Sequence, residues 1–237
     1  MARRKKSGGG SIWMELVFIL LAALVFLAAW LVWKGEGVLP MLAGKKAPEP
    51  AVFAPEDAEL VELWERCGCT AEVEPLLLTD LNWNLQGDGP RVLIIHTHAT
   101  ECYTQSGEAF EEYEEFRTLD EAHNMIAVGE VLAGALEKGG VQVIHDTGIY
   151  DYPDYDAAYD GAWTVIENYL DQYPSIQLVL DVHRDSVALE DGGQWAPVVS
   201  VDGRESALLM LTVGTACAEN NNPAWRTNLA AAVKLQA

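Results

Sequence analysis

Downstream of Pro90, short apolar runs alternate along the chain with longer amphipathic stretches. Continuous apolar runs are typical of strands buried on both faces, whereas apolar residues three or four apart are typical of helices. The pattern predicts strands over 92–95, 141–144 and 176–180, separated by helices over 124–137 and 162–170. This order indicates an α/β fold, a three-layer parallel or mixed sheet with helices on both faces.

The pattern is weaker on either side of this region. Toward the C-terminus, apolar runs over 195–201 and 208–213 predict one or two more strands, and 228–235 predicts a final helix. Residues 34–90 are mixed, with a linker-like segment over 45–50, helical spacing over 57–66 and a cluster of turn residues over 86–90. We interpret 34–90 as a stalk with a short helix, and 91–237 as the folded domain.

A long apolar segment over 13–33 predicts a membrane anchor. It holds 21 residues with Glu15 as its single charge, which is long enough to span the ~30 Å hydrocarbon core as a helix. A cleaved signal peptide is the alternative, but its apolar region is usually only about 7–15 residues long. The basic run Arg3-Arg4-Lys5-Lys6 precedes the segment and predicts a cytoplasmic tail over 1–12. Everything beyond residue 33 is then extracytoplasmic.

The charge balance narrows the functional classes. The 237-residue chain has 15 Lys and Arg against 36 Asp and Glu, a net charge of −21. A nucleic-acid ligand is excluded on this ground, because neutralising phosphates needs a basic surface. Solubility explains the acidity more simply than a basic partner does. The spacing of Cys67-Gly68-Cys69 is too short for a zinc knuckle, and any pairing with Cys102 or Cys217 stays open.

Chemistry-bearing side chains follow two of the predicted strands. Because carboxyl ends of parallel strands meet at one edge of a sheet, these side chains are expected to converge there. Two histidines and a carboxylate form a natural catalytic zinc site with a fourth position open for water. His123 and His145 are interpreted as structural. The residues at the two strand ends are His96, His98 and Glu101 after the first strand, and Asp181, His183 and Asp185 after the third.

Several ordered motifs over 91–236 resemble the stage II sporulation protein P family of membrane-anchored cell-wall amidases. The resemblance implies a zinc-dependent N-acetylmuramoyl-L-alanine amidase of peptidoglycan, with an associated endopeptidase activity, acting in engulfment with the stage II sporulation proteins D and M. The motifs are His96-Thr97-His98-Ala99-Thr100-Glu101-Cys102-Tyr103, Asp120 with Asn124 and Val128-Gly129, Asp181-Val182-His183-Arg184-Asp185, Val213-Gly214, and Asn222-Pro223-Ala224-Trp225.

The resemblance also implies roles for individual residues. His183 occupies the position of the second histidine ligand of zinc amidases, and His98 is preferred over His96 as the first because it lies beyond the strand. His96 would then orient a ligand. The carboxylate ligand is Glu101 or Asp120, and we favour Glu101. Arg184 and Asp185 are candidates to orient substrate, or to brace the strand end.

One departure from the family concerns the proton shuttle. The family continues into another strand with a glutamate in that role, whereas this sequence ends at Ala237. We therefore expect a fragment that lacks its last strand and helix. A non-catalytic wall-binding or scaffold relative is the alternative, and an unrelated α/β metallohydrolase is a third reading.

Overall fold

The computed structural model describes residues 61–63, 70–103, 111–114, 116–185, 187–190, 194–215 and 222–237. The predicted cytoplasmic tail and membrane anchor lie outside these residues. Among those described, no helix is both long and apolar enough to cross a bilayer. The predicted stalk helix over 57–66 also lies mostly outside them, and its described residues 61–63 are not helical.

A parallel three-stranded sheet forms the centre of the fold, as predicted. Its strands are β1 (Val92–Ile95), β2 (Val143–His145) and β3 (Leu178–Asp181), in the order β2–β1–β3. Val92 is in register with Val143 on one side and Leu178 on the other. Every residue of the central strand is buried, which explains why β1 reads as an unbroken apolar run. Strands β2 and β3 each begin two residues later than predicted and end one residue later.

Two long helices connect these strands and confirm the predicted helices. Helix α2 (Met125–Lys138) begins at Asn124, whose side chain accepts a hydrogen bond from the backbone N–H of Ile126, and it packs on the face of β1 that carries Val92 and Ile94. Helix α3 (Ala158–Gln172) begins four residues earlier than predicted. Because parallel crossovers are right-handed, the strand order β2–β1–β3 carries the two connections to opposite faces of the sheet.

A short helix and the last helix pack together. Helix α1 (Val73–Leu77) lies in the stretch interpreted as stalk, and helix α4 (Trp225–Gln236) includes the predicted 228–235. Burial of apolar side chains from both helices stabilises this contact. The buried cluster consists of Leu76, Leu77, Ala230 and Val233.

The region between β3 and α4 differs from the prediction. It forms two antiparallel pairs, β4 (Val187–Ala188) with β5 (Gln194–Trp195), and β6 (Val198–Val201) with β7 (Arg204–Ala207). The turn Asp202-Gly203 has positive φ at both residues, which is the geometry of a tight hairpin turn. It returns the chain onto β6, so that Arg204–Ala207 becomes the partner of that strand. The predicted strand over 208–213 is wrong, because those residues follow the hairpin as irregular backbone.

Candidate metal centre

The carboxyl ends of β1 and β3 lie side by side, with Ile95 in register with Asp181. From β1 the chain crosses to β2 on one side, and it later returns to β3 on the other side of β1. Strands β1 and β3 therefore flank the point where the strand order reverses. In open α/β sheets such a point is the usual ligand site. Here it brings together the residues that follow β1 and those that follow β3.

Three of these side chains form a compact cluster. His98, Glu101 and His183 each offer a ligand atom, and these atoms all lie within 4.8 Å of one another. His98 Nδ1 is 3.4 Å from Glu101 Oε1, and His183 Nδ1 is 3.8 Å from Glu101 Oε2. Glu101 therefore lies between the two histidines, with one carboxylate oxygen facing each ring.

His98 is held by aromatic rings from the region around the start of α3. The Tyr155 ring stacks on it, with the centroids 4.5 Å apart, and Tyr159 meets it edge-on at 5.2 Å. Burial lowers the pKa of His98 below its ordinary value of 6.5, so the imidazole is neutral at physiological pH. A neutral imidazole is the form that ligates metals.

His183 is oriented by the last residue of β3. Its Nε2 lies 2.9 Å from Asp181 Oδ2, while the backbone N–H and the hydroxyl of Thr97 donate to the same carboxylate at 2.8 Å and 2.6 Å. Hydrogen bonds to Asp181 and Glu101 raise the pKa of His183 to about 10. In the metal-free protein this ring is therefore an imidazolium between two carboxylates.

Glu101 is held in place by the histidines and also by Arg184, which follows β3. The backbone N–H of Arg184 donates to Glu101 Oε2 at 2.9 Å, and Arg117 Nη2 lies 3.9 Å from Oε1. Burial opposes ionisation of the Glu101 carboxyl, but hydrogen bonds from His183 and Arg184 outweigh it and lower its pKa. The carboxylate stays ionised, as a metal ligand must be.

The cluster fits a zinc ion. Tetrahedral zinc with bonds of about 2.0–2.1 Å places neighbouring ligand atoms about 3.3 Å apart, close to the 3.4 Å and 3.8 Å observed here. The donor set of two imidazoles and one carboxylate is one that zinc uses.

The two alternative ligands named from the sequence are not brought to this cluster. His96 is fully buried; its Nδ1 bonds to the Val182 carbonyl at 2.9 Å and its Nε2 to His145 Nε2 at 3.0 Å. Asp120 instead accepts a hydrogen bond from His123 Nδ1 at 2.8 Å. The carbonyl that His96 contacts belongs to the residue before His183, so His96 braces the strand end that presents this histidine.

Sequence reasoning missed a polar network beneath the cluster. Asp151 has no exposed side-chain surface and binds Arg117 Nη1 at 2.9 Å. It also accepts a hydrogen bond from the Thr100 hydroxyl at 2.6 Å. The guanidinium carbon of Arg117 lies 4.6 Å from the centroid of the Tyr155 ring, the same ring that stacks on His98. The signal was present, because Asp151 and Tyr155 belong to the polar and aromatic segment after β2, which ends at the same sheet edge.

The comparisons with known proteins agree with these motifs. The family model described as Stage II sporulation protein P (SpoIIP) matches residues 45–237, more than four-fifths of the chain. No curated protein and no solved structure matches this chain. The match includes every strand and helix described above, and also begins upstream of the motif blocks over 91–236. The chain belongs to the stage II sporulation protein P family, which serves sporulation and is known for peptidoglycan hydrolysis.

Proposed function

We propose that this chain is a zinc-dependent N-acetylmuramoyl-L-alanine amidase that removes stem peptides from peptidoglycan, with an accompanying endopeptidase activity. The observation that carries the proposal is the cluster of His98, Glu101 and His183 at two adjacent strand ends. The peptidoglycan hydrolysis known for the family supports a cell-wall substrate. The zinc amidase-like fold is part of the same proposal, supported by the parallel sheet and its strand order.

The side chains around the cluster suit an amide hydrolase. Zinc held by His98, Glu101 and His183 would polarise the scissile carbonyl and lower the pKa of a water molecule. Asp181 accepts from His183 Nε2, which keeps the Nδ1 lone pair for the metal and fixes the ring. The Arg184 backbone N–H holds the Glu101 carboxylate in the same way. These contacts preorganise the ligands before any metal or substrate arrives.

The cellular setting is proposed from the sequence. We place the enzyme in the cell membrane with a single span over 13–33, its N-terminus in the cytoplasm and its catalytic domain outside. The apolar length of the span and the basic run before it support this orientation. Peptidoglycan is then within reach, and the stage II sporulation proteins D and M are the proposed partners in engulfment.

The test measures metal and product together. The full chain, purified in mild detergent, should hold about one zinc per molecule by mass spectrometry of metals. With purified peptidoglycan it should release peptides whose new N-terminus is alanine. His183→Ala should abolish both, while His123→Ala, which alters a histidine outside the cluster, should retain both.

The two readouts separate the parts of the proposal. A chain that binds no zinc at any pH would reject the metal site and the amidase with it. A chain that binds zinc through His183 but leaves the bond between muramoyl residues and alanine intact would reject amidase activity alone.

A further inference from the structure

Arg184 follows His183 directly, and its backbone N–H bonds to Glu101 of the cluster. Its guanidinium has no carboxylate partner among the described residues, and packs against the Phe116 ring. The group provides five N–H donors; Nη1 makes a 3.4 Å hydrogen bond to the Asp185 carbonyl. Its Nε is buried and has no hydrogen-bond partner in the described part of the chain. This is notable in a chain with 36 acidic residues, where a cation near the surface readily finds an anion.

Arg117, the other arginine near the cluster, is engaged by carboxylates. Its guanidinium lies 2.9 Å from Asp151, 3.9 Å from Glu101 and 4.0 Å from Glu114. Acidic side chains are therefore available in this part of the fold. Among the described residues, the Arg184 guanidinium forms no ion pair with any of them and bonds only to the Asp185 carbonyl, which leaves its positive charge open to a group from outside the chain.

Arg184 is also held in place rather than left to move. Its backbone N–H is bonded to Glu101 Oε2, and its guanidinium carbon lies 5.3 Å from the centroid of the Phe116 ring. Phe116 has a φ of 61°, a left-handed conformation that is unusual for a bulky residue and is often found at functional sites. A strained residue thus supplies the aromatic face for this cation.

We propose that Arg184 binds a carboxylate of the substrate, so that the metal centre acts on amides of acidic peptides. This inference rests on the proposed function and names its substrate class. A guanidinium matches a carboxylate in bidentate geometry, and the bond is strongest where water is partly excluded. The acidic surface of the chain disfavours a polyanion, whereas a single carboxylate on a peptide can reach one arginine.

The experiment compares two muramoyl peptides that are identical except that one carries a free carboxylate and the other a carboxamide. For the zinc-loaded full chain we expect kcat/KM to favour the carboxylate by about 10- to 100-fold, as for a hydrogen bond to a charged group. Arg184→Met keeps the backbone bond to Glu101, and should bring the ratio close to one with zinc content unchanged. Arg226→Met is the matched control, because that arginine also lies over an aromatic ring, at 4.4 Å from the Trp225 centroid, and should keep the wild-type ratio.

A second measurement makes failure of this inference distinguishable from failure of the proposed function. Binding of the free peptides to the zinc-free chain is followed by calorimetry, and the carboxylate peptide should bind more tightly only when Arg184 is present. If this preference is found without hydrolysis, the amidase proposal fails and the carboxylate site stands. If both peptides are hydrolysed equally by the wild type and by Arg184→Met, the carboxylate site is rejected and the amidase stands.

Discussion

Gly129 is the point at which α2 meets the buried pair His96 and His145, and Gly129→Ala tests the packing there. A Cβ at this position would lie 2.4 Å from Nε2 of both histidines, where ordinary contacts are 3.4–4 Å. The two Nε2 atoms are hydrogen-bonded at 3.0 Å, so the methyl group would have to separate them. Alanine gains about 1 kcal/mol over glycine in a helix. Overpacking costs about 1–3 kcal/mol, and an unsatisfied buried nitrogen costs a similar amount. We expect a net loss of about 3 kcal/mol in the free energy of unfolding.

Gly134 provides the matched control because it lies in the same helix, and a methyl group added there would have no other atom within 4 Å among the described residues. Gly134→Ala should gain only the higher helix propensity of alanine, and so stabilise the protein by about 1 kcal/mol. Urea unfolding followed by far-ultraviolet circular dichroism should therefore separate the two variants by about 4 kcal/mol. Equal stabilities would show that the histidine pair moves aside without cost, contrary to the packing described.

Three further predictions concern the cluster and its supports. Asp181→Asn should weaken zinc binding about 10- to 100-fold in a chelator competition, while Asp120→Asn should have no effect. Zinc affinity should rise about tenfold per pH unit between about pH 7 and 9, because binding must displace a proton from His183, whose pKa is raised to about 10 by hydrogen bonds to Asp181 and Glu101; a flat profile would contradict this. Asp151→Ala should cost about 3–5 kcal/mol in urea unfolding, because it leaves Arg117 partly buried without its closest anion.

The core of the fold is predictable because burial and helix capping both leave a pattern in neighbouring residues. Strand β1 must be apolar at every position, since both faces are covered. Helix α2 begins where Asn124 can accept from a free N–H and ends where glycine can follow. These are local requirements, so they can be read from neighbouring residues. The bounds of β2, β3, α2 and α3 differ from the prediction by one to four residues.

The segment 208–213 shows where local pattern is insufficient. Its composition is that of a strand, but a strand also needs a partner. The turn Asp202-Gly203 pairs β6 with Arg204–Ala207, although β7 is too polar to be recognised as a strand from its sequence. Turn geometry therefore determined the pairing, and hydrophobicity alone pointed to the wrong residues.

The candidate site also contains some residues that the sequence predicts and others that it does not. The rule that ligands lie at the carboxyl ends of parallel strands pointed to the six polar side chains at two strand ends. The family resemblance favoured His98, Glu101 and His183, and the structure brings these three together. The rule also applies to β2, which would have pointed to Asp151 and Tyr155. The rule could not have found Arg117, because that residue lies in the connection between β1 and α2, which has no regular periodicity. Its contact with Asp151 joins residues that are far apart in the sequence. Long-range ion pairs of this kind leave no spacing pattern in the sequence.

The charges of the cluster argue for a cation as its natural occupant. Glu101 and Asp181 both contact His183, and both have lowered pKa values, so two negative charges flank one ring. In the metal-free protein the extra proton on His183 balances only one of them. A divalent ion on the Nδ1 side would neutralise Glu101 directly, while Asp181 would still accept from Nε2 of the neutral ring and strengthen its donation to the metal. The hydrogen bond between His183 Nε2 and Asp181 that stabilises the proton would therefore also hold the ring in place for a metal ion on its Nδ1 side.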